Sequence, residues 1–127
     1  MRRIAPLFML IAAAALVTAG CQSRHEEGVK SNLRTQWTTV DADTRATTAA
    51  AEEVLREEGL KDVKSESTNV DGKATGKTAG DKKVSVDVEK KTDRTSQVSV
   101  NVGTLGDPKL GAEIVRKIKD RVGRDAR

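Results

Sequence analysis

Residues 84–102 read Val-Ser-Val-Asp-Val-Glu-Lys-Lys-Thr-Asp-Arg-Thr-Ser-Gln-Val-Ser-Val-Asn-Val, with valine at every second position at both ends of the stretch. This period of two is typical of β-strands that bury one face. Thr92-Asp93, between the two valine series, supplies a turn. The stretch therefore predicts two antiparallel strands, at about 82–90 and 95–102, with a valine face toward a core and a polar face toward solvent.

The chain after these strands predicts a helix that covers the valine face. It turns at residues 103–106, and Asp107 followed by Pro108 is a typical helix start. An apolar stripe then recurs at spacings of three and four. Its members are Leu110, Ile114, Val115, Ile118 and Val122. This spacing places them on one side of a helix, where they can pack on the sheet.

Two weaker strands precede the valine pair, at about 61–69 and 73–79. Asp71-Gly72 and Gly80-Asp81 provide the turn signals between them and before the next strand. The second of these strands carries Ala74 and Gly76 where bulky apolar residues would be expected. Small residues suit a strand on which a helix lies close.

A first helix and a short strand complete the N-terminal side. Asp41 is the expected N-cap of the helix, and Gly59 is its expected C-terminal stop. The apolar stripe of this helix consists of Ala42, Ala46, Ala49, Ala50, Val54 and Leu55. Before the helix, Leu33, Thr35 and Trp37 occupy alternate positions, which predicts a half-buried strand that buries these three side chains.

The elements follow the order β-α-β-β-β-β-α, which predicts an α+β domain. We expect an antiparallel sheet of four to five strands, covered on one face by two helices. The stretch from Thr35 to Leu60, the valine strands and above all the junction Val102-Gly-Thr-Leu-Gly-Asp107 resemble the short bacterial lipoproteins of the domain-of-unknown-function (DUF) family DUF3568. The topology is also similar to helix-grip domains. The resemblance implies a lipobox, a linker and one domain, and it brings no catalytic residue, cofactor or substrate.

The N-terminus has the parts of a lipoprotein signal peptide. A basic start at Arg2-Arg3 precedes an apolar run over residues 4–17 and small residues before Cys21. The run is too short for a transmembrane helix, which needs about 20 apolar residues. We therefore expect cleavage between Gly20 and Cys21, with diacylglycerol and an N-linked fatty acid such as palmitate on Cys21 as the membrane anchor. The sequence calls for no other cofactor.

These patterns divide the chain into four segments. Residues 1–20 are the signal peptide, 21–32 the lipidated cysteine and a flexible tether, 33–123 the domain, and 124–127 a tail. Fully extended, the tether reaches about 35 Å. Gln22 stands where Asp would signal retention in the inner membrane. We expect the outer membrane, facing the periplasm, in a host with two membranes.

Composition argues against several functional classes. Removal of Arg2 and Arg3 with the signal lowers the formal net charge from +4 to +2, so the basic pI does not indicate nucleic-acid binding. His25, the sole histidine, lies in the tether beside Glu26 and Glu27, where a metal site or a catalytic base is not expected. Residues 72–78 resemble a phosphate-binding loop but have three residues between the glycines where that loop has four, so no nucleotide is expected. We expect a protein that is not an enzyme.

Two interpretations of function remain. The first is a lipid-anchored cell-envelope lipoprotein whose domain is a structural or interaction module, with an envelope protein as candidate partner. The alternative is a binding module for a lipid or other small apolar ligand held between helices and sheet, or for anionic envelope surfaces. The residues that would contact an anionic surface are Arg116, Lys117, Lys119, Arg121 and Arg124. Oligomeric state, partner and strand order stay open at this level.

Overall fold

The computed structural model describes residues 28–125, which form a six-stranded antiparallel sheet and two helices. The strands are β1 (Lys30–Ser31), β2 (Thr35–Val40), β3 (Lys61–Ser67), β4 (Asp71–Lys77), β5 (Lys83–Thr92) and β6 (Thr95–Val102), and the helices are α1 (Thr44–Glu57) and α2 (Pro108–Asp125). The strand order is β1-β2-β6-β5-β4-β3. The predicted signal peptide, Gly20, Cys21 and His25 lie outside the described residues. Between residues 28 and 125, neither helix has the length and apolarity needed to cross a membrane.

The predicted α+β class is confirmed, and the sheet has six strands instead of four to five. The additional strand is β1, in the last part of the segment predicted as a tether. Lys30 lies opposite Trp37 and Ser31 opposite Gln36. Both β1 residues are exposed and polar, so this strand is held by backbone pairing and carries no apolar period that sequence could show. At the other end, α2 continues to Asp125, two residues beyond the predicted domain boundary.

The valine strands are confirmed, and their register explains why they form the centre of the core. Val84 lies opposite Val102, Val86 opposite Val100, and Val88 opposite Val98. All six side chains are almost fully buried, and cross-strand pairs of β-branched residues stabilise a sheet. Helix α2 packs over β2 and β6, while α1 packs over β3 and β4. The two helices therefore share the valine face between them.

Helix α1 packs closely against strand β4, as the small residues of β4 predict. A Cβ atom on Gly72 would lie 1.9 Å from Oγ1 of Thr48 in α1, and one on Gly76 would lie 3.0 Å from Cδ2 of Leu60. Ala74, between them, is fully buried. The predicted turn at Asp71-Gly72 is wrong, because both residues lie in β4. The turn comes just before them, where the Thr68 amide donates to the Asp71 carbonyl at 2.8 Å.

Helix α1 begins later than predicted and buries a different stripe. Its N-cap is Asp43 and not Asp41, with Oδ1 of Asp43 accepting from the Ala46 amide at 2.8 Å. Ala46 and Ala49 are exposed. The buried residues are Thr44, Thr47, Thr48, Ala50, Ala51, Val54 and Leu55. Thr44, Thr47 and Thr48 can occupy buried positions where the sequence predicts alanine. Each hydroxyl donates to a backbone carbonyl, so burial leaves none of these donors unpaired.

Strand β2 buries the face opposite to the predicted one. Gln36, Thr38 and Val40 point into the core, whereas Trp37 is only half-buried and Leu33, just before the strand, is 82% exposed. The partner strand decides this. Thr38 lies opposite Val98 in the register with β6, and directly opposite residues share a face of the sheet. Because the valines of β6 face the core, the residues of β2 opposite them, Gln36 and Thr38, face the core as well.

Helix α2 has the predicted start and stripe. Oδ1 of Asp107 accepts from the Leu110 amide at 3.1 Å, and the helix begins at Pro108. Ile114, Val115, Ile118 and Val122 are buried, and Leu110 packs at the edge of the core. Since the buried apolar core lies entirely between Val40 and Val122, the described segment contains its own core.

Candidate functional site

The predicted basic face of α2 is divided, because two of its five members pair with α1. The guanidinium of Arg121 donates to Glu53 and Glu57, and its side chain is only 19% exposed. Nζ of Lys117 contacts Glu58 and lies 3.3 Å from Glu113. These contacts join the two helices by charge. Arg121 and Lys117 are consequently not free to bind an external anion.

The electrostatics of Lys117 agree with this role. Its hydrogen bonds, first to Glu58 and then to Glu113, raise the pKa of Lys117 above its usual 10.5. A raised lysine pKa means that the interaction is present at neutral pH and is lost only as pH rises through the folded-state value. The amine is exposed, so solvent screens the pair and its contribution to stability is small.

The other three predicted contact residues are exposed. Arg116 takes part in an interaction of its own. No carboxylate of residues 28–125 forms an ion pair with Lys119 or Arg124. A side chain on Gly28 would lie 2.6 Å from Nζ of Lys119, so the first described residue lies directly against this part of α2. Lys119 is therefore close to the N-terminal end of the described chain.

A surface depression of about 620 Å³ lies between these residues. Its lining consists of Glu57, Lys117, Lys119, Asp120, Arg121, Gly123 and Arg124. Four of these residues are basic and two are acidic, and Lys117 and Arg121 already have carboxylate partners. This lining suits charged groups of a surface better than an enclosed small molecule.

The space between helices and sheet, where the alternative interpretation places an apolar ligand, is filled by side chains. The residues that fill it are mainly Val, Ala and Ile from four strands and both helices. A small depression of about 130 Å³, lined by Ala42, Ala46, Val122 and Asp125, lies where the start of α1 meets the end of α2. Larger depressions, of 320 to 590 Å³, are bordered mostly by residues of polar type.

Gln36 is the most unusual buried polar residue, and no sequence pattern singled it out. It is fully buried, and its Nε2 donates to the Asn32 carbonyl at 2.9 Å and to Oγ of Ser31 at 3.1 Å. Oε1 has no hydrogen-bond donor. A Cβ on Gly111 would lie 1.9 Å from that oxygen, so Oε1 packs closely against Gly111 of α2. The pair is a packing contact between β2 and α2, and the only signal in the sequence was a glycine inside the α2 stripe.

The remaining motifs are placed on structural elements. Residues 72–77 lie in β4, paired with β3 and β5, so their backbone amides form ladder bonds and no phosphate cradle. Within residues 28–125 there is no His or Cys, and no group of three acidic residues is arranged to hold a metal ion.

The face of the sheet opposite the helices is polar, and residues 28–125 place no helix over it. One row crosses it from strand to strand: Trp37, Ser99, Asp87, Lys73 and Glu66. Nζ of Lys73 lies 3.7 Å from Oδ1 of Asp87, so charge alternates toward the β3 edge.

The family model described as "Protein of unknown function (DUF3568)" matches residues 5–121. The matched range includes the apolar N-terminal run, Cys21, all six strands and most of α2. No curated protein is significantly similar in sequence.

Proposed function

This chain belongs to the DUF3568 family of proteins of unknown function, and we propose that it is a lipid-anchored lipoprotein of the bacterial cell envelope whose single domain is a non-catalytic structural or interaction module. The observation that carries the proposal is the N-terminal pattern. Arg2-Arg3, the apolar residues 4–17 and the small residues before Cys21 are the three parts that lipoprotein export requires. The family match starts at residue 5, which supports treating this segment as part of what the family shares.

Acylation of Cys21 accounts for a durable attachment. Each buried methylene of an acyl chain contributes about 0.8 kcal/mol, and about two chains suffice for stable anchoring. Gln22 after the cysteine favours the outer membrane, facing the periplasm. The domain itself supports a structural role, because Lys117 and Arg121 of α2 form ion pairs with carboxylates of α1 and its C-terminal end, which hold the two helices together.

Mass spectrometry of the chain recovered from a bacterial host tests this proposal. The expected product begins at Cys21 and carries two or three acyl chains, and Ser23→Ala should give the same product because it leaves the cleavage site intact. Cys21→Ala removes the thiol that accepts the diacylglycerol, so we expect no acyl adduct at all. An unmodified Cys21 in the wild-type product would refute the lipoprotein assignment.

A second candidate role, contact with an anionic membrane surface, is favoured by the position of Gly28 against Lys119. Gly28 is seven positions after Cys21, and a chain of that length spans at most about 25 Å. An anchor at Cys21 would therefore keep the exposed Lys119 and Arg124 near the lipid head groups. Basic residues close to an anionic leaflet contribute about 1 kcal/mol each.

Sedimentation with vesicles tests this role. We expect a chain that begins at residue 22 to bind phosphatidylglycerol vesicles weakly at low salt, and Lys119→Gln with Arg124→Gln to weaken binding about tenfold. The matched control is Lys82→Gln with Lys91→Gln, which removes two exposed charges outside α2. Equal losses in the two double variants would show that only net charge matters and would exclude a specific α2 contact.

A further inference from the structure

The two edges of the sheet differ in what they offer another chain. One edge is β1, which has only two residues. The other edge is β3, with seven residues, of which Lys61, Asp62, Lys64, Ser65 and Glu66 are exposed. An edge strand presents unpaired backbone N–H and C=O groups, which can pair with an added strand. The β3 edge is the longer and more accessible of the two.

Two features of β3 restrict which strand can be added. Asp62 has a positive φ of 54°, and the register with β4 shifts between Lys61 and Lys64, so regular pairing with β4 is limited to Lys64–Ser67. Within that part, Lys64 and Glu66 project on the polar face, because they lie opposite Thr75 and Lys73 of β4. Lys64 on this edge disfavours pairing with an added strand that has no charge complementary to it. A complementary strand needs a carboxylate opposite Lys64 and a cation opposite Glu66.

We propose that the strand that fits this edge is β3 of a second copy, added antiparallel about a two-fold axis at Ser65. This symmetry places Lys64 of each copy opposite Glu66 of the other and the two Ser65 residues opposite each other. The interface then contains two identical Lys64–Glu66 ion pairs, one on each side of the axis. Such repetition of the same contact is what a two-fold (isologous) interface requires. The inference names a partner for the proposed interaction domain and in that respect rests on the proposed function.

Charge selects this register among its neighbours. Moving the two-fold axis one residue toward the N-terminus places Lys64 opposite Lys64 of the other copy. Moving it one residue toward the C-terminus places Glu66 opposite Glu66. Like charges directly opposite each other destabilise a strand pair, whereas opposite charges contribute about 0.2–1 kcal/mol. Of the three symmetric registers, only the one centred on Ser65 is favourable.

The surrounding structure accommodates this pairing. The polar row that ends in Asp87, Lys73 and Glu66 would continue into Lys64 of the second copy, which extends the alternation of charge across the junction. Both copies keep their helices on the same face. Because α1 packs over β3 and β4 and strands are about 4.8 Å apart, the two α1 helices would lie roughly 10–15 Å apart, which is at or beyond helix-packing distance.

Disulfide trapping in the full chain tests the register. Thiols introduced by Ser65→Cys would face each other across the axis with Cβ atoms about 4.5–5.5 Å apart, which reaches the upper end of the separation that a disulfide permits, about 4.5 Å. Thiols introduced by Ser67→Cys would lie about 13 Å apart, because each would be opposite Val63 of the other copy. We expect oxidation of cell membranes to give a covalent dimer with Ser65→Cys and not with Ser67→Cys. The unsubstituted chain, whose only thiol is Cys21, gives the background.

Charge exchange in the Ser65→Cys chain tests the contact itself. Lys64→Glu places carboxylates opposite each other and should reduce the trapped dimer about tenfold, and Glu66→Lys should do the same with ammonium groups. The double exchange Lys64→Glu with Glu66→Lys restores opposite charges and should recover the dimer. Recovery also shows that the single variants were folded, since both side chains are exposed.

The outcomes separate this inference from the lipid anchor. Trapping at position 65 alone, lost in the single exchanges and recovered in the double one, supports self-pairing. Equal trapping at positions 65 and 67, trapping at the level of the unsubstituted chain, or insensitivity to Lys64→Glu would overturn it. The mass of the same samples reports acylation of Cys21 independently. Trapping together with an unmodified Cys21 would leave the β3 pairing in place and remove the anchor.

Discussion

Gly106→Ala should destabilise the domain by about 3 kcal/mol or more, enough to unfold a protein of ordinary marginal stability. Gly106 has a φ of +86°, and an added Cβ would lie 2.3 Å from the Leu33 carbonyl oxygen and 2.8 Å from Cα of Arg34. Both obstacles are backbone atoms at the entrance to β2, so no side chain can move aside. The junction before α2 would have to separate from β2.

Gly59→Ala is the matched control for this substitution. Gly59 also has a positive φ, +78°, but an added Cβ would meet nothing within 4 Å. Gly59→Ala should lower the free energy of unfolding only by the cost of placing alanine at a positive φ, about 1–2 kcal/mol. Urea denaturation of a chain that begins at residue 22, followed by far-ultraviolet circular dichroism, measures both free energies of unfolding. Equal losses in the two variants would show that the close approach to Leu33 has no energetic consequence.

Gly111→Ala should also destabilise, by about 2–4 kcal/mol, although alanine is the better helix former by about 1 kcal/mol. The added Cβ would lie 1.9 Å from Oε1 of Gln36, so this fully buried side chain would have to leave its place. Its bonds to the Asn32 carbonyl and to Oγ of Ser31 would then be lost, with the amide unpaired inside the protein.

Gly123→Ala provides the control within the same helix. An added Cβ there meets nothing within 4 Å, so only helix propensity changes and the variant should gain up to about 1 kcal/mol. The same denaturation experiment compares the two. A second substitution, Gln36→Ala, should reduce the cost of Gly111→Ala, because it removes the obstructing oxygen. Stabilisation by Gly111→Ala, or strict additivity with Gln36→Ala, would contradict the proposed contact.

The sequence predicts the fold well where one strand or helix determines its own buried face. The valines of β5 and β6 alternate without interruption, and the α2 stripe follows an unambiguous cap at Asp107, so both were placed correctly. The small residues of β4 predicted the close approach of a helix. Each of these patterns is local, since its period alone states which side is buried.

The predicted buried face is wrong where contacts with other parts of the chain, and not the element's own apolar pattern, determine which side chains face the core. Trp37 is the largest side chain of β2, but pairing with Val98 and Val100 of β6 turns Gln36 and Thr38 inward. In α1, threonines are buried because their hydroxyls bond to carbonyls of the preceding turn, which composition does not reveal. The sequence does not predict β1, because its two residues are held by backbone pairing and have no apolar pattern.

The candidate site shows the same limit. The basic residues of α2 were identified by position, but the partners of Arg121 are Glu53 and Glu57, more than sixty positions earlier in the chain. Only the packing of α1 against α2 brings them together. Which cations stay exposed is therefore a property of the tertiary structure, and helical spacing alone cannot give it.

The pairing of β1 with β2 has a consequence for where this protein can act. It includes Gly28 in the folded domain, since the Gly28 carbonyl accepts from the Thr38 hydroxyl, so the span from Cys21 to the domain is at most about 25 Å, where the sequence alone predicts about 35 Å. A domain of this size is about 30 Å across. With an acylated Cys21, it would sample a layer above the lipid no deeper than its own width. Two copies in one leaflet would then meet almost in two dimensions, at a frequency set by their surface density.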